Sequence, residues 1–213
     1  MKYVLFDLDG TLCDSSEGIF RCFRYAFQKM NLPAPPPARL KEYIGPPLLD
    51  SFLAFSGGDR ERALEGVSFY RERYAVTGWR ECTLYPYVKE CLAFLSAEKR
   101  LALATSKPQP YAEKILKNFS IDGYFSVVVG SKLDNSFDDK GEIIALAMEK
   151  LGAEREQTAM VGDRAQDMTG AVKNGITPVG IRTGFAEEGE LERAGAKYIV
   201  KDFFNLKKLF SHL

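Results

Sequence analysis

Apolar residues along this chain follow two rhythms, and the change between them divides it. Lys2 to Phe6 is a short apolar run cut off by Asp7-Leu8-Asp9-Gly10-Thr11, the pattern of a buried strand feeding a tight loop. From there to about residue 80 the spacing is helical. Asp14 followed three residues later by Glu17 predicts a capping box, and Ile19, Phe20, Phe23, Ala26, Phe27 and Met30 fall on one helical face. Pro33-Ala34-Pro35-Pro36-Pro37 stops that helix. Gly45-Pro46-Pro47 interrupts again before an apolar segment from Leu48 to Phe55. Ala63, Leu64, Val67, Tyr70 and Tyr74 then resume helical spacing between Asp59 and Ala75.

After Tyr85-Pro86 the chain alternates. A helical stretch from Val88 to Leu95 precedes a strand-length run, Arg100 to Ala104, which ends in Thr105-Ser106-Lys107-Pro108. A helix carrying Ala112, Ile115, Leu116 and Phe119 follows, then a β-rich run from Phe125 to Val129 and a helix from about Gly141 to Leu151. Thr158 to Val161 is a fourth strand ending in Gly162-Asp163-Arg164. Ala165, Met168, Ala171 and Val172 form the next helix face, closed by Asn174-Gly175. Pro178 to Ile181 and Tyr198 to Val200 complete the series. Strands alternating with helices predict an α/β fold with a parallel sheet. The expected organisation is an α/β core from residues 1–14 and 81–213, interrupted by an all-helical insertion over 15–80.

Composition narrows the chemistry. Lys plus Arg and Asp plus Glu both number 29 and 46% of residues are hydrophobic, which excludes wholesale disorder and argues against a nucleic-acid polymer as partner. No apolar run approaches the ~18 residues of a membrane span, so a cytoplasmic protein is expected. The one histidine, His212, is penultimate, which disfavours Ser-His-Asp and Cys-His catalysis. Cys13, Cys22, Cys82 and Cys91 form no Cys-x-x-Cys pair and read as free thiols, with a Cys22–Cys82 bridge left open. Any chemistry must rest on carboxylates, hydroxyls, lysines or a metal.

In parallel sheets ligands bind beyond the carboxyl ends of the strands. Those positions here carry Asp7 and Asp9, then Thr105, Ser106 and Lys107, then Asp163 with Asp167 one helical turn on; Lys140 opens the helix after the third strand. Each alone reads as a helix cap. Together, carboxylates without histidine or thiolate suit a hard cation such as Mg2+. Hydroxyls, a helix start and a lysine suit a phosphate. A carboxylate beside a bound phosphoryl group can act as nucleophile, with a second one as acid and base.

Asp7-Leu8-Asp9-Gly10-Thr11-Leu12 resembles the D-x-D-G-T-L first motif of phosphatases in the haloacid dehalogenase superfamily. The resemblance covers the whole chain: Thr105 matches the second motif, Lys140 the third, and Gly162-Asp163-Arg164-Ala165-Gln166-Asp167 the fourth. It implies a Rossmann-like parallel sheet core with an inserted helical C1 cap, as in the phosphoglycolate phosphatase-like and 5'-nucleotidase-like branch. On that resemblance Asp7 is the nucleophile and Asp9 the general acid/base, while Thr105, Ser106 and Lys140 hold the phosphate. Mg2+ is held by Asp7, the backbone carbonyl of Asp9 and Asp163, with Asp167 as a support. Gly45, in a loop similar to the one that meets substrate in this branch, is the cap candidate; a plain helix break is its rival reading.

One departure concerns the lysine: Lys140-Gly141-Glu142 stands where many relatives have Lys-Pro. Lys107 therefore competes for the role, unless it lies on a solvated face. The implied activity is Mg2+-dependent hydrolysis of a small phosphomonoester, phosphoglycolate or a nucleoside 5'-monophosphate, through an aspartyl-phosphate. A phosphomutase similar to β-phosphoglucomutase is the alternative. A 2-haloacid dehalogenase fits less well, because Asp9 and Asp163 would have no task in it. The expected partner is a small phosphorylated metabolite, with no membrane and a monomeric or weakly dimeric state.

Overall fold

The computed structural model describes residues 1–41, 43–44, 48–134 and 136–213. The chain divides into two compact units, one of Met1–Asp14 with Leu84–Leu213 and the other of Ser15–Thr83. Strand β1 (Tyr3–Phe6) opens the first, with Val4, Leu5 and Phe6 fully buried. A strand covered on both faces carries no polar alternation, hence its uniformly apolar run. The short β2 (Cys13–Asp14) follows the acidic loop.

The second unit contains α1 (Ser16–Lys29), α2 (Pro37–Lys41), α3 (Leu48–Phe55) and α4 (Arg60–Val76). Helix α1 buries Ile19, Phe23, Ala26 and Phe27 of the stripe its spacing predicts, with Cys22 in addition, while Phe20 is half-buried. Its start differs from expectation. Ser15 is the N-cap and makes no side-chain capping bond; Asp14 belongs to β2, one residue too early for a box with Glu17. Helix α4 does begin at a working cap, the Asp59 carboxylate accepting from the Arg62 N–H at 3.1 Å. Helix α1 ends at Lys29, before the prolines expected to stop it, with Asn31 turning left-handed at a φ of +54°; the proline run instead starts α2 at Pro37. Aromatic rings fill the core: Phe23 lies 5.2 Å from Phe52 and 5.1 Å from Tyr70, and Phe27 meets Phe55 edge-on at 4.7 Å, arrangements that stabilise beyond area alone. Gly45, the cap candidate, lies outside the described residues, as do Pro46 and Pro47.

The chain returns through β3 (Thr83–Leu84), and the Tyr85 N–H donates to the Leu12 carbonyl at 3.1 Å. Then come α5 (Val88–Ser96), β4 (Arg100–Pro108), α6 (Gln109–Asn118), β5 (Phe125–Ser131), α7 (Lys140–Leu151), β6 (Thr158–Gly162), α8 (Ala165–Lys173), β7 (Thr177–Ile181), α9 (Glu190–Arg193), β8 (Tyr198–Val200) and α10 (Phe203–Phe210). The short α9 and the Asp202-capped α10 have no counterpart in the sequence reading. Six strands form one parallel sheet in the order β5-β4-β1-β6-β7-β8. Taken in chain order this is the doubly wound 3-2-1-4-5-6 arrangement, with the direction of winding reversing beside β1. Phe6, the last residue of β1, sits between Leu103 and Val161. One face of the sheet packs Leu5, Ala102 and Met160 against Ile143, Ile144, Ala147 and Leu151 of α7 and Ala171 of α8.

Strand β4 corrects the sequence reading. It does not stop at Ala104 but carries Thr105, Ser106 and Lys107 within it. Thr105 pairs with Gly130 and Pro108 with Ser131, so two residues are extra on one strand. Such a bulge re-aims side chains at a sheet's working edge. The four cysteines are free thiols. Among the described residues no helix is long and apolar enough to cross a membrane.

Candidate active site

The loop after β1 is wound tightly on itself. The Leu8 carbonyl accepts from the N–H groups of Leu12 and Cys13, and the Gly10 N–H donates to the Cys13 carbonyl at 2.8 Å. Gly10 has a φ of +81°, a region that an L side chain avoids. The turn places Asp7 at the strand end and Asp9 two residues beyond.

Asp7, Asp163 and Asp167 converge from the ends of β1 and β6 and the first turn of α8. Each offers an oxygen within 4.8 Å of the others, and all three residues are buried. Asp163 is held at both oxygens: the Thr11 hydroxyl donates to Oδ1 at 2.8 Å, and the Phe185 N–H to Oδ2 at 2.9 Å. Asp167 accepts at Oδ2 from the Arg164 N–H at 3.0 Å, which ties it to the start of α8. Burial first, then the charges of Asp167 and Asp7, push the Asp163 carboxyl well above the usual range, against the pull of its two donors. Asp167 is raised to about 6, by burial and by Asp7, with Lys140 opposing.

Lys140, the first residue of α7, reaches this cluster. Its Nζ lies 2.8 Å from Asp7 Oδ1 and 2.9 Å from Asp167 Oδ1, and it donates to the Ala104 carbonyl at 3.0 Å. Burial works to lower its pKa, but Asp167 and Asp7 outweigh that and raise it, so the ammonium stays charged. Its placement is local in origin. Asp139 caps α7, accepting from the Glu142 N–H at 2.9 Å, which starts the helix at Lys140.

A second ion pair completes the site. Lys107 Nζ lies 2.6 Å from Asp9 Oδ2, with both side chains largely buried. Lys107 is therefore no solvated-face residue; the β4 bulge turns it inward. Thr105 is 1% exposed, and its hydroxyl accepts from the Lys107 N–H at 3.2 Å, while Ser106 between them is half-buried. The structure thus brings Asp7, Asp163, Asp167 and Lys140 into one cluster and joins Asp9 to Lys107. The two lysines that compete in the sequence serve different carboxylates.

The cluster fits a divalent cation. Three carboxylates face one ammonium in a buried space, an acidic excess that the raised Asp163 and Asp167 carboxyls reflect. Asp7 Oδ1 and Asp167 Oδ1 share the single Lys140 ammonium, and no further hydrogen-bond partner among the described residues satisfies either. Buried, unsatisfied carboxylate oxygens of this kind are costly unless a cation shares them, and an all-oxygen set suits Mg2+. Asp9 contributes no side-chain oxygen to the trio.

Sequence reasoning assigned no role to Thr11 and overlooked Thr183 and Phe185 entirely. The signal for the last two was available: Arg182-Thr183-Gly184 stands at the carboxyl end of the strand over Pro178 to Ile181, where the strand-end rule applies as it does to Thr105.

Comparison with known proteins shows the family and the fold. The family described as haloacid dehalogenase-like hydrolase matches residues 4–181. A 5'-nucleotidase of Pseudomonas aeruginosa is 38% identical over 207 residues, spanning 97% of this chain and 94% of that protein. A tyrosine-protein kinase, PtkA, of Mycobacterium tuberculosis is 36% identical over 199 residues, 93% of this chain and 68% of that protein. The crystal structure of a predicted phosphatase from Clostridium acetobutylicum superimposes with a TM-score of 0.93 at 37% identity, covering 100% of this chain and 99% of that one.

Proposed function

The chain belongs to the haloacid dehalogenase-like hydrolase family, and on that premise we propose that it is a Mg2+-dependent phosphatase whose preferred substrates are nucleoside 5'-monophosphates. The observation that carries the reading is the Asp7 carboxylate, at the end of the central strand, crowded with Asp163 and Asp167 and paired with Lys140. The nucleotide preference rests on the near full-length similarity to the Pseudomonas aeruginosa 5'-nucleotidase; phosphoglycolate is the next substrate in line.

Asp7 attacks phosphorus and becomes an aspartyl-phosphate as the bond to the leaving oxygen breaks. Asp9 gives that oxygen its proton, then takes one from the water that attacks the acyl-phosphate, which releases inorganic phosphate and restores Asp7. Lys140 offsets charge at Asp7 and Asp167, while Thr105, Ser106 and the start of α7 offer donors to phosphate oxygens. Asp7, Asp163 and Asp167 would hold Mg2+, directly or through water. Bound there, the ion would neutralise the phosphoryl oxygens against the attacking carboxylate. The helical unit is assigned to substrate selection as a cap, because the chain enters it at Ser15, directly after the loop that follows Asp7.

A phosphomonoester panel tests the reading. Nucleoside 5'-monophosphates, phosphoglycolate, hexose phosphates and ATP with a tyrosine peptide are offered in Mg2+ or EDTA, and released phosphate is measured. Phosphate release that EDTA stops and that Asp7→Asn loses by on the order of 10³-fold or more is expected. Interconversion of sugar phosphates without net release would favour a mutase, transfer to tyrosine a kinase, and indifference to EDTA would remove the metal.

A further inference from the structure

We infer that the loop after β7, Thr183 to Phe185, is a positioning element for the metal site, and that the Thr183 hydroxyl is the group through which it acts. The inference rests on the metal reading above. Thr183 Oγ1 donates to the Gly10 carbonyl at 2.9 Å and lies 3.3 Å from the Thr11 carbonyl. Two residues on, the Phe185 N–H donates to Asp163 Oδ2 at 2.9 Å, while the Thr11 hydroxyl holds Asp163 Oδ1 at 2.8 Å. These bonds close a circuit. The loop after β1 grips one oxygen of Asp163, the loop after β7 grips the other, and Thr183 fastens the two loops to each other.

Gly184 is the reason the circuit can close. A Cβ at this position would collide with the Asp163 carboxylate and with the Gly10 carbonyl. Only a bare backbone can run that close. Apart from Asp163 itself, nothing in the circuit belongs to the carboxylate cluster, so its effect runs through the aim of Asp163. A carboxylate with one donor on each oxygen has a defined plane, and its remaining lone pairs point one way. Release of one donor lets it turn about its own axis, and an outer-sphere partner of this kind typically governs metal affinity by about 10–100-fold. Strand β7 therefore serves the site although it delivers no carboxylate or lysine to it.

The test is equilibrium binding of Mg2+, and of Mn2+ as a second probe, to the metal-stripped full chain by calorimetry. Melting temperatures in EDTA are recorded for every variant. Thr183→Val keeps the shape and loses the donor; its dissociation constant should rise by roughly tenfold or more, the size of an outer-sphere loss. Thr183→Ser restores the donor and should bind within about twofold of wild type. Gly184→Ala, which wedges the loop off Asp163, should weaken binding as well and carries the test if Thr183→Val does not fold. A folded Thr183→Val that binds as wild type, or Thr183→Ser as weak as Thr183→Val, overturns the inference and leaves the loop a purely structural contact. The metal reading fails differently: wild type then binds neither ion, or Asp163→Asn binds both unchanged, and the positioning role falls with it.

Discussion

At the scale of single residues, the site is a distribution of two lysines among four carboxylates. Lys107 pairs with Asp9, and Lys140 with Asp7 and Asp167. Asp9→Asn should slow turnover by on the order of 10²–10⁴-fold if the residue is the proton donor. The loss in aspartyl-phosphate formation should be smaller for p-nitrophenyl phosphate, whose leaving group needs little protonation, than for an alkyl phosphate. Equal losses in rapid-quench measurements would remove Asp9 from that role. Lys140→Met strips the ammonium that pairs with both Asp7 and Asp167. Removing one partner from a buried ion cluster costs up to about 3–5 kcal/mol. In EDTA the variant should therefore melt well below wild type. Saturating Mg2+ should recover part of the difference, because the ion supplies the missing positive charge. A deficit that Mg2+ leaves untouched would separate Lys140 from the metal site.

Elements place these residues, and each does so by a local device. Asp139 caps α7 and thereby sets Lys140 as its first residue. Asp139→Ala should lower stability by about 1 kcal/mol. It should also lower turnover, since the helix start that carries Lys140 would fray; denaturant melts and turnover at saturating substrate read the two effects separately. Unchanged turnover despite the lost stability would show that Lys140 is held by its carboxylates rather than by the cap. The β4 bulge acts in the same way on Thr105 and Lys107. Only the first device was partly legible. The sequence reading started this helix within one residue of Lys140, whereas the bulge, which depends on pairing with β5, left no trace in the pattern of β4 alone.

The whole molecule adds electrostatics that belong to neither motif. In the helical unit Arg73 forms two charge-assisted bonds with Glu81, at 2.7 and 2.9 Å, and Arg21 a third at 2.7 Å. The Arg73 contact, aided by Arg21 and opposed by burial, holds the Glu81 carboxyl below its ordinary range. A depressed carboxylate stabilises the folded state fully above its unfolded pKa, and that contribution is lost as pH falls through the folded value. With both side chains of the Arg73–Glu81 pair about one-fifth exposed, roughly 1–2 kcal/mol is at stake, between a water-screened pair and a buried charged hydrogen bond. Stability measured by urea melts should therefore fall below about pH 4.5, and Glu81→Gln should flatten that part of the profile. A Glu81→Gln profile parallel to wild type would assign the acid loss to other groups.

What the sequence determined by itself is whatever short-range chemistry can encode. Uniform apolar runs marked β1, β4 and β6 as buried strands, and the polar residues that follow those runs pointed to Asp7, Asp9, Thr105 and Asp163, although β4 itself runs on through Thr105 to Pro108. The aromatic stripe of α1 and the prolines after it marked the helical insertion. Tertiary structure alone decided which of these groups meet. Lys107 and Asp9 are 98 residues apart, and Thr183 and Gly10 are 173 apart; no periodicity spans such distances. The capping box at Asp14 failed for the complementary reason, since the local pattern was present but β2 claimed the residue. Strand order placed β6 and β7 beyond β1, and that order set Asp163 between Thr11, 152 residues before it, and Phe185, 22 residues after it. Long-range pairing costs chain entropy, recovered only when the whole sheet forms, so the partners of Asp163 exist as partners only in the folded molecule.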